Sequence, residues 1–113
     1  MIRSKVVLVP FPFDDLSAAK VRPAVCLTDP IGPYRHVVLA FITSQIPPDL
    51  IDTDVVLDSS RADFSITGLR VSSTIRLHRL MTATTSLIQR ELGELSPAIQ
   101  TEVISKLRKL FGL

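Results

Sequence analysis

Residues Val6–Asp29, VVLVPFPFDDLSAAKVRPAVCLTD, decide how the chain is read. Two apolar runs of strand length, Val6–Phe13 and Pro23–Thr28, flank the polar and small-residue stretch Asp14–Val21, which reads as a loop and a candidate flap. Lys20 and Arg22 stand where the second run begins. Pro23 biases the residue before it towards an extended backbone and fixes its own φ. The Arg22 guanidinium is therefore expected to project from a rigid root, as suits a group that meets a phosphate.

The Pro- and Gly-dense segment Asp29-Pro30-Ile31-Gly32-Pro33 stops any regular element after this stretch. His36–Ile42, HVVLAFI, is then a continuous β-branched and aromatic run, bounded by Thr43-Ser44-Gln45 and Pro47-Pro48. Thr53–Leu57 reads as a shorter strand, and Asp58–Thr67 as a loop ending at Gly68. In Ser73–Leu80, STIRLHRL, Thr74, Arg76, His78 and Leu80 alternate with Ser73, Ile75, Leu77 and Arg79, the period of a half-exposed strand with His78 on its solvent side. Leu87–Leu95, with Gly93 near its end, is taken as one more strand, although LIQREL also fits a helical turn. Ser96-Pro97 supplies an N-cap and a first-turn proline, after which Ile99, Val103, Ile104, Leu107, Leu110 and Phe111 are expected on one helical face. Lys106, Arg108 and Lys109 suit the negative end of that helix. Short strands, frequent turns and one terminal helix define a mainly β (α+β) fold: a small, strongly bent antiparallel barrel with a C-terminal amphipathic helix.

At 113 residues the chain fits one domain, 1–113. Its 46% hydrophobic residues and mean hydropathy of +0.34 leave apolar surface for a homo-oligomer to bury. No window approaches the ~18 consecutive apolar residues of a membrane helix, and the N-terminus lacks a signal-peptide cleavage pattern. A cytoplasmic protein with no membrane partner is expected. The single Cys26 cannot form an internal disulfide and reads as a small buried hydrophobe. Thirteen basic against eleven acidic residues give only +2, so any anion-binding surface must come from local grouping of Arg70, Arg76, Arg79, Arg90 and the basic helix end.

No Gly-rich phosphate loop, CxxC pair or HExxH motif occurs, and the two histidines, His36 and His78, stand far apart. Neither a metal nor another cofactor is expected, and both histidines read as structural. What remains is Lys20 and Arg22 at the start of one strand and Thr43-Ser44-Gln45 at the end of another. If Pro23–Thr28 and His36–Ile42 pair as an antiparallel hairpin, Arg22 and Thr43 meet at one rim. A fixed cation beside a hydroxyl fits stabilisation of a phosphoryl oxyanion; the alternative is that Arg22 pairs with Asp14 or Asp15 and Thr43 merely ends a strand.

The PFPF strand, the Lys20-x-Arg22-Pro23-Ala24-Val25 run, Ile42-Thr43-Ser44-Gln45, Gly68-Leu69 and the terminal helix together resemble the MazF/PemK-like toxins of type II toxin–antitoxin systems, in order over nearly the whole chain. The resemblance implies an SH3-like barrel, a homodimer, and metal-independent, sequence-selective cleavage of single-stranded RNA to a 2′,3′-cyclic phosphate and a 5′-hydroxyl. It also implies a cognate antitoxin whose disordered tail occupies the RNA groove. The family's catalytic arginine and threonine fall on Arg22 and Thr43, with Ser44 and Gln45 as substrate contacts; Lys20 and Ser73 complete the expected substrate-binding set. The chain departs from the family pattern at Ser4-Lys5, where Gly-Asp is common, and at Ser72-Ser73, where some members carry an acid. The alternatives are a non-catalytic toxin that traps DNA gyrase, similar to the CcdB type, and an inactive antitoxin-binding homologue. Gyrase-trapping toxins place their contacts towards the C-terminus, whereas the informative polar groups here cluster at Lys20–Pro23 and Thr43–Gln45.

Overall fold

The computed structural model of the chain describes residues 1–11 and 20–113. Among the described residues, six strands, β1 (Lys5–Phe11), β2 (Lys20–Cys26), β3 (His36–Thr43), β4 (Asp54–Leu57), β5 (Ser73–Thr84) and β6 (Arg90–Glu94), precede one helix, α1 (Pro97–Phe111). They form a single antiparallel sheet in the order β4-β5-β3-β2-β1-β6, curled into a half-barrel. Both sheet faces are buried, which is why β1 to β3 read as unbroken apolar runs rather than alternating ones. Val6, Val25, Ala40, Ile42, Val55, Ile75 and Leu77 share one core with Ile99 and Val103 of α1. Val7, Val9, Ala24, Cys26, Leu39 and Phe41 form a second core on the opposite face. Cys26 is fully buried there, and burial pushes its thiol up to about 11, far from nucleophilic.

Three boundaries differ from the sequence reading. Lys20, Val21 and Arg22 belong to β2 rather than to the preceding loop, because β1 runs on to pair Val9 with Arg22, Pro10 with Val21 and Phe11 with Lys20. Pro23 is tolerated inside the strand because the ladder to β3 begins only at Ala24, so this residue without an N–H stands at the ladder's open end. The rest of the expected flap, Asp14–Ala19, lies outside the described residues. β5 continues to Thr84, and its first residues, Ser73, Thr74 and Ile75, are all buried rather than half-exposed. The final strand starts at Arg90, since Thr85–Leu87 forms a 3₁₀ turn.

The helix begins where Ser96 and Pro97 place it, with the Ser96 hydroxyl accepting from the Ile99 N–H at 3.2 Å. Ile99 and Val103 are buried, but Ile104 and Phe111 are exposed. On a 3.6-residue helix these two lie roughly 120–140° round from Ile99 and fall off the core stripe. Two basic residues of α1 are also not left for an anion: Lys106 donates to the Asp54 carbonyl at 2.5 Å and Lys109 to the Asp52 carboxylate at 2.9 Å.

The N-cap is itself anchored. Ser96 Oγ donates to Asp63 Oδ2 at 2.5 Å, and Arg61 donates to both Asp63 oxygens at 2.9 and 3.3 Å. These donors, Arg61 first and Ser96 second, hold the Asp63 carboxyl down at about 2. A carboxylate whose folded pKa is depressed contributes stability above its unfolded value, near ~3.9, and that stability is lost as pH falls through the folded value. Thermal midpoints measured between pH 5 and 2 should therefore fall more steeply for the wild type than for Asp63→Asn; parallel curves would show that the carboxylate carries no linkage.

Candidate active site

The hairpin of β2 and β3 sets the site. Its ladder pairs Cys26 with Leu39, Val25 with Ala40 and Ala24 with Phe41, and then stops. Continuing the same register places Arg22 opposite Thr43. The outer ladders run further, β1–β2 as far as Phe11–Lys20 and β3–β5 as far as Thr43–Thr74. The sheet thus forks, with Arg22 on one prong and Thr43 on the other. A pocket of about 220 Å³ opens at the fork, lined by Arg22, Phe41, Ile42, Thr43, Gln45, Arg76 and Arg79.

Arg22, Thr43 and Gln45 are therefore brought together. Gln45 is held by its backbone, whose carbonyl accepts from Thr74 Oγ1 at 2.9 Å. Ser44 and Ser73 face elsewhere and line a separate cavity of about 410 Å³ with Leu8, Pro23, Leu69 and Arg90 among its walls. Ser73 is buried, and its hydroxyl donates to the Val71 carbonyl at 2.8 Å. Lys20 is exposed at the start of β2 and does not line the pocket. His36 is exposed at the opposite end of β3, its ring 6.1 Å from that of Tyr34. His78 is exposed on β5, as its place in the alternation implied, with Nδ1 4.0 Å from Asp54 Oδ1, too long for a hydrogen bond.

Arg76 and Arg79, which the sequence offered only as members of a basic grouping, also line this pocket. Strict alternation puts them on opposite faces. The register between β3 and β5 breaks between Ala40 and Phe41: Phe41 pairs with Arg76 while Ala40 pairs with Leu80, so Leu77, His78 and Arg79 are inserted on β5. Such an insertion re-aims side chains, and it delivers both arginines to one pocket, with the Arg79 guanidinium 5.8 Å from the centre of the Phe41 ring. The adjacent polar pair His78-Arg79, interrupting the Ile75/Leu77 alternation, was the available signal.

Arg76 is fixed by Asp54, with Nε 3.2 Å from Oδ1 and Nη2 3.1 Å from Oδ2. Three guanidinium groups around a threonine hydroxyl make a site for a phosphodiester or another polyanion. Among the described residues, no three His, Cys, Asp or Glu side chains gather as a metal-ligand set.

A curled antiparallel sheet with a terminal helix and an arginine-lined fork describes a small β protein with a cationic pocket. Over residues 2–111 the sequence matches the family described as PemK-like, MazF-like toxin of type II toxin–antitoxin system, and the chain belongs to that family. No curated protein matches the sequence. Among solved structures, the Mycobacterium tuberculosis toxin MazF-mt6 is similar at a TM-score of 0.71 and 19% identity, over 96% of this chain and 97% of that one. An endoribonuclease in complex with its cognate antitoxin, from a mycobacterial species, gives 0.71 and 19% over 100% and 96%. A MazE–MazF crystal structure from Deinococcus radiodurans gives 0.69 and 19% over 100% and 96%. At these identities the likeness is one of fold. Among the described residues, no helix is long and apolar enough to cross a membrane.

Proposed function

We propose that this toxin-family chain is a metal-independent, sequence-selective endoribonuclease acting on single-stranded RNA. The observation that carries the reading is the meeting of Arg22 and Thr43 in one arginine-lined pocket. In the reaction a ribose 2′-oxygen loses its proton and bonds to the adjacent phosphorus, and the bond from phosphorus to the 5′-oxygen breaks. The products are a 2′,3′-cyclic phosphate and a 5′-hydroxyl, the leaving oxygen taking up a proton. The phosphorane between them gains negative charge on its non-bridging oxygens. Arg22 donates to those oxygens through its planar fork, and Thr43 adds a hydroxyl donor. A guanidinium, with a pKa above ~12, is a poor base, so Arg22 acts on developing charge rather than as the proton acceptor.

The protein is read as a single-domain cytoplasmic homodimer, inhibited by a cognate antitoxin of the kind seen with its structural neighbours. The gyrase-trapping alternative is disfavoured because Lys106 and Lys109 of α1 are tied down to residues 52–54, while the cationic cluster surrounds Thr43.

The test is incubation with a long mixed-sequence RNA in excess chelator, followed by mapping of the new 5′ ends. Cleavage at a small set of short motifs, leaving ends that accept phosphate from a polynucleotide kinase, is expected. Intact RNA would reject the nuclease reading in favour of a binding-only toxin or an inactive homologue. Cleavage only after metal is restored would reject the metal-free mechanism.

A further inference from the structure

We propose that the open mouth of the first core, on the reverse side of the fork from Arg22 and Thr43, holds a nucleotide adjoining the cleaved phosphate, with Arg70 and Arg90 as its binding residues. This inference rests on the endoribonuclease reading. The two cavities sit back to back. Along β2, Arg22 falls on the face of Ala24 and Cys26 in the second core, whereas Pro23 falls on the opposite face with Val25 of the first. On β1 Leu8 likewise falls on the face of Val6, and Leu69 and Leu92 pack against the same core. The mouth, about 410 Å³ in volume, is thus the first core continued to the fork end of the strands and left open there. α1 serves the other end, where Val103 and Leu107 line a small cleft with Leu27 and Leu95.

An apolar cavity open to water suits an occupant with an apolar body, and this volume is within the roughly 300–1,000 Å³ of small-ligand sites. Its charge narrows the choice. Arg70 and Arg90 both line the mouth, both are exposed, and among the described residues neither makes an ion pair or a side-chain hydrogen bond. Arg61, Arg76, Lys106 and Lys109, by contrast, each meet a carboxylate or a carbonyl. Two uncompensated guanidiniums over a floor of Leu8, Leu69 and Leu92 match a nucleotide, whose base covers the leucines while an arginine takes its phosphate or stacks on the base plane. Single-stranded RNA is held by this combination of cation and stacking surface. A protein segment would also cover leucines, but the place of the mouth favours RNA. Arg22 and Pro23 on one prong, and Thr43 and Ser44 on the other, are consecutive residues lining the two cavities in turn, so a strand held at the fork reaches both.

The experiment takes one mapped RNA site and replaces each base flanking the cut, in turn, by an abasic residue. Turnover is measured on ribose RNA, and binding on the same RNA with 2′-deoxyribose at the cleaved position. Wild type is compared with Arg70→Gln, Arg90→Gln, the double variant and Val71→Asp, which puts a carboxylate at an exposed point of the mouth. In wild type, one abasic position beside the cut should weaken binding at least about five-fold, the lower end of what one stacked base contributes. Arg70→Gln or Arg90→Gln should raise KM about five- to ten-fold with kcat nearly unchanged, and should lower the slope of log K against log salt by about 0.7, one single-strand phosphate contact. Val71→Asp should weaken binding as well and leave kcat nearly unchanged. In the double variant the abasic penalty should shrink at that one position and no other. A merely structural role would not couple these side chains to a single base of the RNA.

Equal affinity for every abasic RNA, measured on wild type alone and so independent of any variant's folding, would overturn the proposal. Folded variants with the wild-type KM, slope and abasic penalty would also overturn it, and would leave the mouth to a protein partner. Wild type that neither binds nor cuts RNA would instead reject the endoribonuclease reading beneath it.

Discussion

Arg22→Ala is expected to lose at least about 10³-fold in RNA cleavage while the strand that carries it stays formed. Removing a single oxyanion donor from an active site costs about 10²–10³ in rate, and Arg22 offers two parallel donors and a full charge at once. The neighbouring guanidiniums do not replace it: Arg76 is turned to Asp54, and Arg79 lies over Phe41. The fold persists because residue 22 pairs with Val9 through its backbone, whatever its side chain. Arg22→Lys should restore only a minor part of the rate, since an ammonium acts as a point charge and not as a fork. Single-turnover cleavage of one mapped RNA site, beside circular dichroism of each variant, measures this. A folded Arg22→Ala protein cutting at more than a tenth of the wild-type rate would remove Arg22 from the reaction.

The second large effect concerns stability. Gly93 on β6 and Gly68, after the 3₁₀ turn Ser65–Thr67, lock that turn across the outermost strand of the sheet. A Cβ on Gly93 would stand 2.1 Å from the Ile66 carbonyl oxygen and 2.6 Å from the Thr67 carbonyl carbon. A Cβ on Gly68, whose φ is +72°, would stand 2.0 Å from the Leu92 carbonyl oxygen. All these neighbours are backbone atoms, which cannot swing aside as a long side chain can. Gly93→Ala must lift the turn off β6, at an expected cost of about 3 kcal/mol or more and a fall in melting temperature beyond ~10 °C. The same lift would uncover an edge strand, so aggregation on heating should accompany it. A change of less than ~1 kcal/mol in urea unfolding would show that the contact yields easily.

Much of this could be read from sequence because it was local. β3 announced itself through HVVLAFI, α1 through Ser96-Pro97, and the pairing that brings Thr43 to Arg22 followed from hairpin geometry alone. What escaped was set by partners distant in sequence. Pro23 looked like the start of a strand because nothing nearby showed that β1 would extend to pair with Lys20. Arg76 and Arg79 fell on opposite faces by parity, and only pairing with β3 reveals the inserted residues between them. Ser73 was read as facing substrate, yet it is buried at the start of β5 and its hydroxyl donates to the Val71 carbonyl. Asp54 carried no signal as a short strand's first residue, although it organises one wall of the pocket. Ser4 shows the converse: it adopts φ +72° where the family pattern commonly has glycine, so the backbone conformation survives the departure in residue type.

The burial of Cys26 has a practical side. The sole thiol of the chain sits at the end of a strand flanked on both sides by others, sealed in the second core and held protonated at neutral pH. A thiol reagent can reach it only when the middle of the sheet parts. Its labelling rate is thus a built-in clock for opening of the protein, readable without a dye attached beforehand, and comparison of that clock with and without RNA or an inhibitory partner would report how firmly each of them holds the sheet closed.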